Sequence, residues 1–344
     1  MIKQDANKPS HNKLPGGMFG FSIVWAGQII SVLASNMTQF GLTIWAYKET
    51  GSATALGAMS TTFLVPFIII SPFAGAMVDR YNRKLMMMLS DLGAVIATVG
   101  ILILYLSGHL QIWHLYLAAF INGLGNTFQW PAYSAAISTM LPKEKYSRAN
   151  GMMSLIDTGP SVFSPMLAGA LLPLIGLNGI LILDVATFFL AITALLIVAI
   201  PQPARTVEGQ TGTGNIFKEA AFGFKYIFAR RGLLGLLMFF LTLNFFGGLA
   251  WPIVPPFILS RTGNNSAALG ATQSAWAMGG VAGGLLLSLW GGYKRKMKNI
   301  LLGEALSGLF SMLLFGLGTT LWFWMASAAI GAVFFPFVNG SSQA

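Results

Sequence analysis

The chain has 344 residues, of which 55% are hydrophobic and only 9% are charged, and its formal net charge is +10. Soluble domains carry about 25% charged residues, and a soluble fold of this length has no means of burying so much apolar surface. The composition therefore excludes a soluble protein and predicts a membrane protein.

Ten apolar segments are long enough to cross a bilayer as helices, which takes about 20 residues each. They lie at 20–47, 55–78, 84–107, 112–141, 151–175, 178–200, 232–259, 266–290, 299–317 and 320–344. The strands of a membrane barrel alternate in polarity, whereas these segments do not, so the predicted class is all-α. The first apolar run is too long for a cleaved signal, whose core is about 7–15 residues, so residues 1–16 are predicted to be a retained cytoplasmic tail.

The basic residues are distributed unevenly between alternate loops. If the loops alternate between two sides, starting inside, one side holds 18 of the 20 Lys and Arg residues and the other holds only Lys48 and Arg261. This asymmetry predicts a cytoplasmic N-terminus in a bacterial inner membrane. The positive balance then reflects topology and attraction to anionic lipid, and not nucleic-acid binding.

Polar side chains recur on one face of the first span, at Gln28, Ser31, Ser35 and Thr38. Lipid disfavours such a face, so it borders either a cavity or a neighbouring helix. If the face borders a cavity, Gln28 is a candidate substrate-binding residue.

The second span ends in a turn in which one carboxylate lies among three basic residues. The turn comprises Gly75, Asp79, Arg80, Arg83 and Lys84. A carboxylate at the membrane edge needs a partner, and Gly75 lets another helix approach closely. We predict a gating latch here; the alternative is a charged turn that only fixes topology.

The third span carries Asp91, and the fourth carries a polar stripe with helical spacing at Asn122, Asn126, Gln129 and Tyr133. The stripe predicts either a substrate cavity or hydrogen bonds between helices. Asp91 is a candidate proton carrier, although pairing with the nearby basic loop is the simpler interpretation.

The fifth and sixth spans each contain one acid. Asp157 lies near the start of the fifth span beside Gly159 and Pro160 and is the preferred proton-coupling candidate; capping of that helix end is the alternative. Asp184 in the sixth span is interpreted as a structural hydrogen-bonding group.

A polar stretch at 201–231 separates six predicted spans from four. It begins as a Gly/Thr-rich linker, and Phe217, Ala221, Phe224 and Phe228 then follow one helical stripe, which predicts an amphipathic surface helix. The chain is therefore divided into a bundle at 17–200, a linker at 201–231 and a second bundle at 232–344.

In the second bundle, Asn244 and Trp251 share one face of the seventh span and are further substrate-binding candidates. The eighth span contains two interleaved glycine pairs, Gly279/Gly283 and Gly280/Gly284, whose spacing favours close helix packing. Glu304 in the ninth span occupies the position that Asp91 occupies in the third, so the two bundles look like a repeat. A complete repeat would supply two more helices, so we expect a truncated chain that lacks roughly 70 residues; a genuine ten-helix protein is the alternative.

The turn after the second span matches the pattern Gly-x-x-x-Asp-Arg-x-x-Arg-Lys, with which the chain resembles the major facilitator superfamily and, more closely, its macrolide-efflux type of drug exporter. Further matching stretches are WAGQIIS (25–31), KETGSATAL (48–56), GNTFQWPAYSA (125–135) and MLPKEKYSRANG (140–151). The resemblance implies two six-helix bundles that work by alternating access, with the first, fourth, seventh and tenth helices lining a central cavity. The usual basic residue of the fourth helix is absent.

The sequence contains no phosphate-binding loop, no cysteine and no histidine cluster, so we predict no enzyme activity and neither a metal nor another cofactor. The expected function is proton-coupled efflux of amphipathic compounds by a monomer. Export of a specific metabolite such as a siderophore, or a non-transporting membrane protein, remains an alternative.

Overall fold

The computed structural model describes residues 16–80, 82–200, 228–290 and 296–336. Within these ranges the chain forms α-helices with short 3-10 and π segments, and no strand. This confirms the predicted all-α class. The predicted surface helix in the linker lies almost wholly outside the described residues.

Four helices cover the first four predicted spans. They are α1 (Gly17–Thr50), α2 (Ala53–Arg80), α3 (Arg83–Leu106) and α4 (Ile112–Met140). Helix α1 ends because Gly51 turns into the left-handed region at φ 60°, where its N–H bonds to Tyr47 O. Helix α3 begins where the Asn82 side chain accepts a hydrogen bond from Leu85 N at 3.1 Å.

The fifth and sixth spans form one sharply bent element, α5 (Tyr146–Ile197), which reverses at Gly176 with φ 68° and ψ 178°. Only glycine adopts this backbone region readily. The two ends of α5 lie together, because Ala149 and Met153 share an apolar cluster with Leu195 and Val198. The two spans are therefore an antiparallel pair joined by a turn with almost no loop.

The second half contains shorter elements. They are α6 (Arg231–Ala250), a 3-10 turn (Trp251–Ile253), α7 (Val254–Arg261), α8 (Ser266–Trp290), α9 (Lys296–Gly308) and α10 (Leu321–Val333). Helix α9 continues through a π segment (Leu309–Leu314) and one further helical turn (Phe315–Leu317).

Five helical stretches of the described chain are long and apolar enough to cross a membrane by length and composition. They are Gly17–Thr50, Ala53–Ser71, Arg83–Leu106, Lys143–Ile197, which includes two predicted spans, and Gly232–Arg261. Helices α4 and α8 are not among them, since glycine and amide residues lower their hydropathy. Two shorter apolar helices follow at Leu301–Leu317 and Leu321–Val333.

Buried apolar side chains join the two halves at one end of the molecule. Phe40 and Ile44 of α1 belong to the same cluster as Ile258 and Leu259 of α7, and Leu269 of α8. The connections at 51–52 and 262–265 lie at this end, which is the predicted outer side. The halves also meet along α5 and α8, where Ser266 Oγ donates to Gly169 O at 3.1 Å.

One of the two predicted glycine pairs on α8 forms a close helix contact. A Cβ atom at Gly279 or Gly283 would overlap the carbonyl groups of Ala329 and Val333 in α10. The other pair, Gly280 and Gly284, has no described atom within 4 Å of such a Cβ. The close-packing prediction is therefore confirmed for the first pair only.

Candidate functional site

A cavity with a volume of about 490 Å³ lies inside the first half. Helices α1 to α4 and the second segment of α5 supply its walls. Its polar lining residues are Gln28, Ser31, Ser35, Asn36, Thr38, Gln39, Ser60, Ser90, Asp91, Thr98, Asn122, Asn126, Gln129 and Asp184. Two of these are acids and none is a base, so the described wall has a negative formal charge.

Asp91 is held on this wall by two glutamine side chains from different helices. Gln28 Nε2 of α1 donates to Asp91 Oδ2 at 2.8 Å, and Gln129 Nε2 of α4 donates to Asp91 Oδ1 at 2.8 Å. Gln129 also donates to Gln28 Oε1 at 3.1 Å. The three side chains therefore form a closed network. The expected pairing of Asp91 with the basic loop is wrong, because both carboxylate oxygens bind amides within the bundle.

Asp184 reaches the same cavity from the second segment of α5. Ser35 Oγ of α1 donates to Asp184 Oδ1 at 2.7 Å, and Thr98 Oγ1 of α3 donates to Asp184 Oδ2 at 3.1 Å. The predicted hydrogen-bonding role is thus present. The sequence interpretation nevertheless missed that this acid faces a cavity, although the matching stripe on the first span contained its partner Ser35.

The polar stripes of the first and fourth spans mostly border the cavity, and they also bond to neighbouring helices. Gln28, Asn122, Asn126 and Gln129 all line it, as predicted for cavity-facing residues. Tyr133 does not. It is buried in an apolar cluster with its ring centroid 6.2 Å from that of Phe21, and its hydroxyl has no hydrogen-bond partner. The periodicity continues past the end of this cavity, so Tyr133 lies outside both described cavity linings.

A second cavity of about 290 Å³ lies between the two halves. Its described lining contains no charged residue and consists of Asn36, Gln39, Phe40, Thr43, Leu56, Met59, Ser60, Pro160, Ser161, Pro165, Trp251, Pro252, Pro255 and Gln273. Asn36, Gln39, Met59 and Ser60 border both cavities, so the two spaces are adjacent.

Of the two binding residues predicted on the seventh span, only one borders a described cavity. Trp251 lines the second cavity, with its ring 5.1 Å from that of Trp276. Asn244 is exposed on α6 and lines neither cavity. The two positions lie seven residues apart and the backbone stays α-helical to Trp251, whose N–H bonds to Gly247 O, so they lie at different levels of one helical face.

Asp157 lies on an exposed part of the first segment of α5 and borders neither described cavity. Pro160, one helical turn further along, does line the second cavity. The proton-coupling role of Asp157 stays a prediction.

The turn after α2 joins three helices of the first half. Arg83 Nη1 donates to Ala135 O of α4 at 2.6 Å, and Lys84 Nζ donates to Leu196 O and Val198 O at 3.1 and 2.9 Å. These last carbonyls lie at the C-terminus of α5, where a cation is favoured. The backbone of Gly75, Asp79 and Arg80 is helical, but the surroundings of these residues lie outside the described part, so the predicted contacts of Asp79 stay a prediction.

Comparison with known proteins gives consistent results. The sequence profile described as Major Facilitator Superfamily matches residues 24–344. Macrolide efflux protein A of Streptococcus pyogenes is 27% identical over 329 residues, which cover 94% of this chain and 80% of that protein. The protein of the same name from Enterococcus faecalis is 28% identical over 86% of this chain and 90% of its own length.

Solved transporter structures have the same fold. A bacterial homolog of the human lysosomal transporter Spinster, in an inward-facing and unoccupied conformation, aligns with a TM-score of 0.65 at 17% identity, covering 96% of this chain and 76% of that one. A bacterial homologue of the iron transporter ferroportin, in an inward-facing state, aligns with a TM-score of 0.61 at 14% identity, covering 95% and 83%. The fold and the relatives are those of transporters.

Proposed function

The chain belongs to the major facilitator superfamily, and from this premise we propose that it is a proton-coupled exporter of small amphipathic compounds that works by alternating access. Its relatives named as macrolide efflux proteins support macrolides as the first compounds to test. The observation that carries the proposal is Asp91, a buried carboxylate held between two glutamines on the wall of a large cavity.

A proton carrier must be charged in one state of the transport cycle and neutral in another. Asp91 meets the geometric requirement, because its partners are uncharged and its cavity contains no described basic side chain to fix it as an anion. Moving one charge across 100 mV provides about 2.3 kcal/mol, which is enough to drive uphill export when combined with a pH gradient. Asp91 therefore takes precedence over Asp157, which borders neither cavity.

The second cavity suits the apolar body of an amphipathic substrate. Its described wall combines the indole of Trp251 with several prolines and a few amides, and has no charge. Apolar walls with few polar groups are typical of small-molecule sites. The adjoining polar face at Gln28, Asn122, Asn126 and Gln129 then binds the polar groups of the compound.

Alternating access requires the contact between the halves to open and close. The cluster of α1 with α7 and α8 closes the predicted outer end in this structure, so it separates in the outward-facing state. The turn containing Asp79, Arg80, Arg83 and Lys84 lies at the opposite end, which is predicted to be cytoplasmic, and we assign it the role of the latch there.

The test compares the same chemical change inside and outside the cavity. Accumulation of a labelled macrolide is measured in cells that express the wild type, Asp91→Asn or Asp157→Asn, with and without a protonophore. We expect the protonophore to abolish wild-type efflux, Asp91→Asn to reduce it at least tenfold, and Asp157→Asn to leave it unchanged. Efflux that persists without a proton gradient would refute proton coupling, and loss of efflux in Asp157→Asn alone would make Asp157 the carrier.

The orientation is tested separately, because the chain contains no native cysteine. Glu144 and His109 are exposed at opposite ends of α4. A membrane-impermeant thiol reagent applied to intact cells should label His109→Cys and leave Glu144→Cys unlabelled. The reverse pattern would place the N-terminus outside.

A further inference from the structure

Four oxygen-bearing side chains from three elements of the first half converge at Asp184. Ser35 and Thr38 come from α1, Thr98 comes from α3, and Asp184 comes from the second segment of α5. All four line the cavity inside the first half. The cluster is distinct from Asp91, to which the proposed function assigns the proton.

The Thr38 hydroxyl lies close enough to Asp184 to interact with it, but it makes no hydrogen bond of good geometry. Thr38 is 6% exposed, and its Oγ1 is buried without a well-formed hydrogen bond to any described group. A buried hydroxyl in a poor hydrogen bond regains little of the solvation that it loses on burial. Thr38 borders the cavity, so a cation bound there would take a lone pair from the hydroxyl oxygen and replace the lost solvation.

The negative charge of the Asp184 carboxylate also favours a bound cation. Asp184 is 5% exposed, and its assigned partners are neutral hydroxyls. A buried carboxylate without an opposite charge is unfavourable at membrane depth and is stabilised either by a proton or by a bound cation. One carboxylate balances one positive charge, whereas a divalent ion at the same place would leave an excess charge.

The chemistry of the donors separates this site from that of Asp91. A hydroxyl has one hydrogen and two lone pairs, so Ser35 and Thr98 can rotate and present oxygen to a cation. The groups that hold Asp91 are amide N–H donors, which have no lone pair to offer from that nitrogen. The ligand set at Asp184 contains only oxygen, which suits hard cations and not soft transition metals.

We propose that Asp184, Ser35, Thr38 and Thr98 form a binding site for one monovalent alkali cation, with Na⁺ as the ion to test. The carboxylate supplies the charge and the three hydroxyls replace part of the hydration shell. Ion binding ties α1, α3 and α5 together within the first half. The site exists whether or not the proton is carried by Asp91.

The experiment measures the thermal unfolding of the purified chain in detergent, at constant ionic strength, in chloride salts of Na⁺, K⁺, Ca²⁺ or choline. Na⁺ should raise the melting temperature saturably, by about 5 °C at a hundred times its Kd. Choline should have no effect. An equal or larger response to Ca²⁺ would overturn the assignment to a monovalent ion, and no response to any alkali cation would overturn the site.

Two variants and one control locate the effect. Asp184→Asn should abolish the Na⁺ response. Thr38→Val keeps the side-chain shape and removes no well-formed hydrogen bond, so it should melt normally in choline while its Na⁺ affinity falls at least tenfold. Asp91→Asn should keep the full response. A full response in Thr38→Val and Asp184→Asn would refute the proposal and leave the efflux result for Asp91 untouched.

Discussion

The two cavities differ in charge and in the parts of the molecule that form their walls. The cavity inside the first half contains Asp91 and Asp184 and is built by helices of that half alone. The cavity between the halves has no charged residue in its described wall, and Trp251, Pro252 and Gln273 of the second half form one side of it. The acidic lining residues of the two cavities thus all belong to one bundle, whereas the described wall of the cavity between the halves, which we propose to open and close, is uncharged.

This separation has a physical advantage. A carboxylate on a wall that moves would lose and regain its hydrogen-bond partners in each cycle, and each lost bond to a charged group costs about 1.5–3 kcal/mol. Under the proposed alternating access, Gln28 and Gln129 would stay with Asp91, because all three belong to one bundle. The uncharged cavity could then open and close with little electrostatic penalty.

The largest expected effect comes from preventing the second cavity from opening. A Cβ atom at Gly57 of α2 would lie 3.9 Å from Pro252 Cβ, which is within the range for a disulfide. In Gly57→Cys/Pro252→Cys, oxidation should abolish efflux and a reductant should restore it, as measured by substrate accumulation in cells. Each single variant serves as the control. Undiminished efflux with the crosslink formed would show that this contact does not open.

An intermediate effect is expected from the wall of the uncharged cavity. Trp251→Ala removes an indole that is half exposed to the space and packed against Trp276. We expect a roughly fivefold loss of apparent substrate affinity, since such aromatic contacts contribute about 1 kcal/mol. The dependence on the proton gradient should not change. Trp322→Ala is the matched control, because Trp322 is 77% exposed and lines neither cavity; an equal loss in both variants would remove Trp251 from the site.

The smallest effect is expected at Tyr133, which the sequence predicted to bind substrate. Tyr133→Phe keeps the ring contact with Phe21 and removes a hydroxyl that has no partner. Efflux should stay at the wild-type level, and the thermal stability of the purified chain should be unchanged or slightly higher. A clear loss of efflux with normal stability would place Tyr133 back in the substrate path.

Helical periodicity predicted the helices and several cavity residues, because lipid leaves few places for Gln28, Asn126 or Gln129 except the inside of a bundle. It did not predict the partners of Asp91. Those depend on how α1, α3 and α4 are rotated about their axes, which no single span encodes. For the same reason, the sequence alone does not show that Asp184 faces a cavity. It also does not show that Asp157, beside a proline, borders neither described cavity.

The turn at Gly176 also has a consequence for the biogenesis of the protein. The stretch from Pro173 to Asn178 contains no charged residue, and the two segments of α5 meet there almost without a loop. Basic residues near the end of a span keep that end on the cytoplasmic side, and this turn has none. The orienting charges nearest to it on its N-terminal side are Lys143, Lys145 and Arg148 at the start of α5. We therefore expect the two segments to enter the membrane together as one helical hairpin. A basic residue introduced at the turn would act on both crossings at once.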